Sequence, residues 1–205
     1  MKAGEHVLLF DTGAGGAMGT AGTLGASLAS AGVAPADVTD IFISHAHPDH
    51  IGGLVTAAGA LVYPNATIHL SAPEWAFLQS MADAKAVVAG ITAKVVAFEP
   101  GAELMPDVHA VATPGHTPGH SSYLIGTGDD QLFYLGDVAH HSIISVQQPT
   151  WEIQFDSDHA AAGALRQQLL AKLAADHTRV YAVHFVFPGV GHFADQAGTV
   201  VCQAE

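Results

Sequence analysis

The chain has 205 residues, 49% of them hydrophobic, and six Lys and Arg against nineteen Asp and Glu, a formal charge of −13. That length predicts one globular domain over residues 1–205 with a substantial core, and the charge argues against nucleic acid and anionic membranes as partners, since both are held by clustered Lys and Arg. One cysteine, Cys202, excludes an intrachain disulfide and a cysteine-rich zinc framework; no run approaches the ~18 apolar residues of a membrane span, and Met1 to Phe10 lacks a signal peptide's apolar stretch, so the chain reads as soluble and cytoplasmic by default.

Val7-Leu8-Leu9-Phe10 predicts a short buried strand, and Asp11-Thr12-Gly13-Ala14-Gly15-Gly16 the turn that leaves it. No Lys follows those glycines, which argues against a phosphate loop. Thr23 to Ala31 has helical spacing and stops at Gly32. A strand over Ile41 to Ser44 follows, then a helix over Ile51 to Ala58 and a strand over Thr67 to Leu70. Ser71 and Glu74 form a capping-box pattern for a helix carrying Trp75, Phe77 and Leu78, aromatics that read as core. Lys94 to Phe98 and Val108 to Thr113 are strand candidates leading into a tandem repeat, Thr113-Pro114-Gly115-His116-Thr117-Pro118-Gly119-His120. Ser121 to Ile125 and Gln131 to Leu135 flank a Gly- and Asp-rich turn as a hairpin. Asp156, Ser157 or Asp158 can cap a helix running to about Ala175, with Leu165, Leu169 and Leu173 as its apolar stripe. The last clear strand, Arg179 to Val183, ends on His184.

Ser44-His45-Ala46-His47-Pro48-Asp49-His50 places four potential metal ligands within six residues at a strand end. Imidazole and carboxylate suit zinc, iron or manganese, and their alternation lets one loop aim at two ions, His45 and His47 at one, Asp49 and His50 at the other. His45, His116, Asp137 and His184 each stand at or just beyond the end of a predicted strand, where sheet proteins with helical connections assemble catalytic groups. Together these residues suffice for two ions with Asp137 between them.

His45-Ala46-His47-Pro48-Asp49-His50, then His116, Gly136-Asp137 and His184, resemble the dinuclear hydrolase signature of the metallo-β-lactamase superfamily. The resemblance implies an αββα sandwich, two mixed sheets flanked by helices, with the N-terminal strands reduced or absent, because Met1 to Glu5 is too short for the usual strand pair. It also implies two divalent metals, zinc first and manganese, iron or cobalt as alternatives. His45, His47 and His116 would hold one, Asp49, His50 and His184 the other, and Asp137 would bridge. Gly136-Asp137-Val138-Ala139-His140, Pro149-Thr150-Trp151, Phe155-Asp156-Ser157-Asp158 and the residues after His184 resemble the branch of methyl parathion hydrolase and related lactonases and arylesterases. N-acyl-homoserine lactone lactonases carry tyrosine where His140 stands, and Asp137 replaces the cysteine of dinuclear β-lactamases.

The implied function is hydrolysis of lactones, aryl esters or organophosphate triesters by a metal-bridging hydroxide, with Asp49 or His140 handling protons. A glyoxalase-II-like thioesterase, or a metal-binding, self-associating fold with little activity, is the alternative. Trp151, Phe155, Phe185 and Phe187 are candidates to line an apolar pocket for a small neutral ester-like substrate. His120 reads as structural, and His6, His69, His109, His159, His177 and His192 as surface or satisfied core. A sheet edge lacking its usual cover predicts a homodimer or higher homo-oligomer.

Overall fold

The computed structural model describes residues 1–16 and 22–205. They form two compact units, Met1–Glu99 and Pro100–Glu205, each with its own sheet.

In the first unit the sheet runs in chain order: β1 (Lys2–Ala3), β2 (His6–Phe10), β3 (Asp40–Phe42), β4 (Thr67–Ser71) and β5 (Val95–Phe98). β1 pairs antiparallel with β2, and β2 to β5 pair parallel, a pattern that needs crossover connections. Those connections carry α1 (Leu24–Ser30), α2 (Pro48–Ile51), α3 (Ala72–Ser80) and α4 (Lys85–Ile91). Strand alternation sorts the side chains. Ile41 and Ile43 of the β3 segment, with Ile68 and Leu70 of β4, enter a core shared with Leu54, Leu78 and Ile91. Phe42 and His69 point the other way and stack at 4.7 Å, with Phe10 on Phe42 at 5.1 Å. Each of the four fully buried aliphatics contributes about 1.5–3 kcal/mol relative to exposure.

Several sequence expectations need correction here. Lys2 and Ala3 do form a strand, though only two residues of one. The helix expected over Ile51 to Ala58 is absent. Helix α2 instead starts at Pro48 and ends at Ile51, and Val55 bridges back to Leu61. Gly52 and Gly53 explain the stop: a Cβ on Gly53 would lie 2.3 Å from the Thr12 carbonyl oxygen, and one on Gly52 2.6 Å from that of Ala14. The turn after β2 packs backbone to backbone on this segment, so the glycines serve contact and not helix. α1 spans Leu24–Ser30 with Gly32 in the left-handed region beyond it, but only Leu28 packs against the core. α4 was not anticipated.

The second unit has a mixed seven-stranded sheet ordered β12-β11-β10-β9-β8-β7-β6. Its strands are β6 (Glu103–Met105), β7 (Val108–Ala112), β8 (Ser121–Ile125), β9 (Leu132–Tyr134), β10 (Arg179–Tyr181), β11 (Val190–Gln196) and β12 (Thr199–Ala204). Only β9 and β10 pair parallel, and between them the chain passes through α5 (Ile144–Gln147) and α6 (His159–Ala175). Asp158 caps α6, accepting the Ala161 N–H at 2.9 Å. Leu170, Leu173 and Ala174 of α6 pack with Phe133, Leu135, Val180 and Phe193, and Leu165 and Leu169 only partly join them. β6, β11 and β12 went unread. The turn between β11 and β12 places Ala197 and Gly198 at φ 55° and 87°, and alanine gives no signal of such a turn where Asn or Asp would. No helix among the described residues is long and apolar enough to cross a membrane.

Candidate metal centre

In the first unit the ligand loop leaves β3 and enters α2 through Pro48, which suits the first helical turn because its missing N–H needs no partner there. Asp11, just past β2, holds the loop. Its carboxylate accepts the Ser44 backbone N–H at 2.7 Å, the Ser44 hydroxyl at 2.6 Å and His50 Nδ1–H at 2.7 Å. Since Ser44 Oγ donates to Asp11, it accepts from His45 Nδ1 at 3.0 Å. One buried carboxylate therefore fixes both rings, His50 directly and His45 through Ser44, with Nδ1 as the protonated nitrogen. Asp11 adopts φ 56° to do this, an uncommon conformation that costs about 1 kcal/mol and that Asp tolerates better than most residues. The Thr12 hydroxyl donates to the His50 carbonyl at 2.8 Å, and the fully buried Glu74 accepts the Ala46 N–H at 2.7 Å while its own N–H is capped by Ser71. The rings of His47 and His50 lie 4.7 and 4.0 Å from that of His45, and Asp49 Oδ2 is 3.5 Å from His50 Nε2.

In the second unit the tandem repeat joins β7 to β8. Gly115, at φ 134°, brings the repeat so near α6 that a Cβ there would be 2.6 Å from the Ala162 nitrogen. His116 donates Nδ1–H to Asp156 at 2.9 Å, and Arg166 donates to the other Asp156 oxygen at 2.8 Å. Burial alone would raise the Asp156 carboxyl, but the His116 hydrogen bond and the Arg166 charge and hydrogen bond outweigh it and hold the group below the ordinary carboxylate value. Asp137, in the turn after β9, has its backbone N–H held by His120 Nε2 at 3.0 Å, and His120 Nδ1 is spent on Thr113 at 2.8 Å. His120 is thus structural, as its position before a strand suggests. Asp137 Oδ2 lies 3.1 Å from His140 Nε2, 3.1 Å from His184 Nε2 and 3.5 Å from His116 Nε2. His140 stacks on His184 at 5.1 Å and belongs, with His116 and Asp137, to one group able to hold a cation.

Each unit presents the same test of fit for a metal. His50 and His116 both spend Nδ1–H on a buried carboxylate, and both direct a lone pair on Nε2 at a second carboxylate 3.5 Å away. A lone pair facing an anion is repulsive unless a cation stands between them, so the donor sets suit a divalent ion.

The family model described as the metallo-beta-lactamase superfamily matches residues 1–184. The chain belongs to that superfamily. It is 34% identical over 113 residues to Metallo-beta-lactamase domain-containing protein 1 of Xenopus laevis, covering 55% of this chain and 42% of that protein. It is 30% identical over 137 residues to an N-acyl homoserine lactonase of Bacillus cereus, covering 66% and 52%. The chain thus spans about half the length of these curated relatives. The structure of AidC, described as a dizinc quorum-quenching lactonase in complex with a product, matches at a TM-score of 0.94 and 31% identity over 100% of this chain and 77% of that one. Two mixed sheets with flanking helices are the superfamily's α/β fold.

The aromatic candidates part ways. Trp151, Phe155 and Phe187 are 60%, 64% and 94% exposed, and Phe155 lies 6.4 Å from the His140 ring. Phe185 instead turns into its unit's core, 6.3 Å from Phe193, because it sits one residue before the chain leaves the surface of that cluster. His6 and His69 are satisfied by Asp40, each at 3.0 Å. Sequence reasoning missed Asp11, Glu74, Asp156 and Arg166 as supports of the candidate ligands. A metal-binding histidine calls for a hydrogen-bond acceptor at its second nitrogen, but no spacing rule names it.

Proposed function

We propose that the chain is a dinuclear metal-dependent hydrolase of lactones, with residues 1–205 making one functional domain. In this reading His45, His47 and His116 would hold one ion, Asp49, His50 and His184 the other, and Asp137 would serve both. Zinc is favoured by the imidazole and carboxylate donors, with manganese, iron or cobalt as substitutes. The observation that carries the proposal is the paired geometry of His50 and His116, each with Nδ1 anchored and Nε2 facing a carboxylate at 3.5 Å. The lactone class is supported by the relatives named N-acyl homoserine lactonase and dizinc lactonase; aryl esters and phosphotriesters are further classes open to the same chemistry.

Two bound ions would supply a water acidified toward neutrality and a Lewis acid for the carbonyl or phosphoryl oxygen. The chain's own groups do the rest. Asp11 and Asp156 keep the ligand imidazoles in one tautomer. His140, 20% exposed, with Nε2 3.1 Å from Asp137 Oδ2 and its ring stacked on His184, is the candidate to pass a proton to a substrate oxygen or leaving group, and Asp49, 34% exposed, the candidate to accept one. Phe155, its ring 6.4 Å from that of His140, offers an apolar surface beside it, and Trp151 is a second exposed aromatic on the same loop. A small neutral substrate fits a chain of net charge −13 better than a polyanion. The test is zinc reconstitution and desalting, elemental analysis, and turnover of N-hexanoyl homoserine lactone, phenyl acetate and a diethyl aryl phosphate. Lactone opening that requires the metal is expected; two ions bound with no turnover of any of the three overturns the reading.

A further inference from the structure

α6 buries a cation. Arg166 is 1% exposed and is the largest fully buried side chain among the described residues. A guanidinium out of water costs several kcal/mol unless its N–H groups are paired, and the pairing here is unusually distributed. Nε donates to the Val138 carbonyl at 2.6 Å, Nη1 to those of Pro149 and Trp151 at 2.9 and 3.1 Å, and Nη2 to Asp156 at 2.8 Å. Val138 follows Asp137 directly. Pro149 and Trp151 begin the loop that carries the two exposed aromatics, and Asp156 ends it while orienting His116. Ser157 and Asp158 then donate backbone N–H groups to the His116 and Gly115 carbonyls, both at 2.9 Å.

We propose that Arg166 is a positioning residue that ties the Pro149–Asp156 loop and the His116 imidazole to one rigid helix, so that Trp151 and Phe155 stand where they meet an apolar group on the substrate. The substrate class this selects, given the hydrolase reading on which it rests, is an ester or lactone bearing an aryl or alkyl substituent. Asp156 is the arm that reaches the metal side; the carbonyls of Val138, Pro149 and Trp151 are the arm that sets recognition. The two arms separate because lysine can keep a charge beside Asp156 but cannot serve three carbonyls with one ammonium group.

The experiment compares Arg166→Lys with Asp156→Asn in the full zinc-reconstituted chain. Arg166→Lys is expected to retain zinc against a chelator about as well as the parent, to speed amide exchange across residues 148–158 at least about tenfold, and to raise KM for a phenyl ester about tenfold over that for a methyl ester, a size typical of lost apolar contact. Asp156→Asn turns an amide N–H toward His116 and forces the wrong tautomer, so zinc retention should fall about tenfold with the KM ratio unmoved. Equal losses of stability in both variants, with exchange and the KM ratio unchanged, overturn the proposal. Should Arg166→Lys fail to fold, Trp151→Ala and Phe155→Ala at exposed positions read the recognition arm, and an unchanged KM ratio there overturns it too. If the parent hydrolyses neither ester, the hydrolase reading fails, while exchange and zinc retention still decide whether Arg166 positions the loop and His116.

Discussion

Replacing Asp11 with Asn isolates what one carboxylate does for the ligand loop. Asn is nearly isosteric and tolerates the left-handed conformation at φ 56° as Asp does, so the backbone contributes little to the difference. Oδ1 can still accept the Ser44 N–H, now held at 2.7 Å. The new amide nitrogen, however, faces two donors, the Ser44 hydroxyl and His50 Nδ1–H, which Oδ2 now accepts at 2.6 and 2.7 Å. Two buried hydrogen bonds to a charged group are lost, each worth about 1.5–3 kcal/mol. A loss of about 3 kcal/mol lowers Tm by roughly 6–12 °C for a chain of this size. Ser44 relieves its clash by donating to His45 Nδ1, which shifts the His45 proton to Nε2 and removes its ligating lone pair, while His50 loses its anchor. Zinc retention should therefore fall by about 10–100-fold. Differential scanning calorimetry of the metal-free chain and chelator competition of the reconstituted one measure the two effects separately. An Asp11→Asn variant with Tm within about 2 °C of the parent and unchanged zinc retention would falsify the shared-anchor argument.

Other outcomes follow from the same geometry. Asp137→Asn should lower hydrolysis by more than about tenfold, or 1.4 kcal/mol of barrier, and reduce bound metal below two ions per chain; a variant that keeps both is incompatible with a bridging carboxylate. Burial alone would raise Asp40, but hydrogen bonds from His69, Thr39 and His6 and the His69 charge hold it below its ordinary 3.8. Its stabilisation is therefore fully present above that pH and lost as pH falls through the depressed folded-state value. Urea midpoints measured from pH 5 to pH 2.5 should drop more steeply for the parent than for Asp40→Asn, and parallel curves refute the linkage. A homo-oligomer is expected from the sheet edge formed by the short strand β1, Lys2–Ala3; light scattering over a hundredfold dilution that finds only a 21.0 kDa species refutes it.

What the sequence disclosed was what obeys local rules. Ile41, Ile43, Ile68 and Leu70 alternate, so β3 and β4 were legible, and Ser71 and the run Asp156 to Asp158 marked helix starts by cap chemistry. Ile51 to Ala58 misled because its glycines look merely tolerated in a helix, whereas they permit a backbone contact with a turn some forty residues earlier. β11 and β12 hid behind small and polar residues, with Phe193 their one deeply buried side chain. The candidate ligand residues were singled out by their clustering and by their places at strand ends. Phe185 and Phe187 could not be told apart, since two aromatics two residues apart on an irregular segment carry no period that separates core from surface.

The supports were illegible for a deeper reason, and they set the order of events at the site. Asp11 reaches His50 across 39 positions and Asp156 reaches His116 across 40. Either contact exists only after its unit has folded, because closing a loop of that length gives nothing back until the strands on both sides are paired. The tautomer of each ligand imidazole is therefore a product of tertiary structure. An unfolded chain offers the same histidines with either nitrogen protonated and no fixed direction. The folded units offer Nε2 at His45, His50 and His116, already aimed. That preorganisation moves the entropic cost of arranging ligands from metal binding to folding, so substitutions at Asp11 and Asp156 should weaken metal binding even though neither carboxylate is among the proposed ligands.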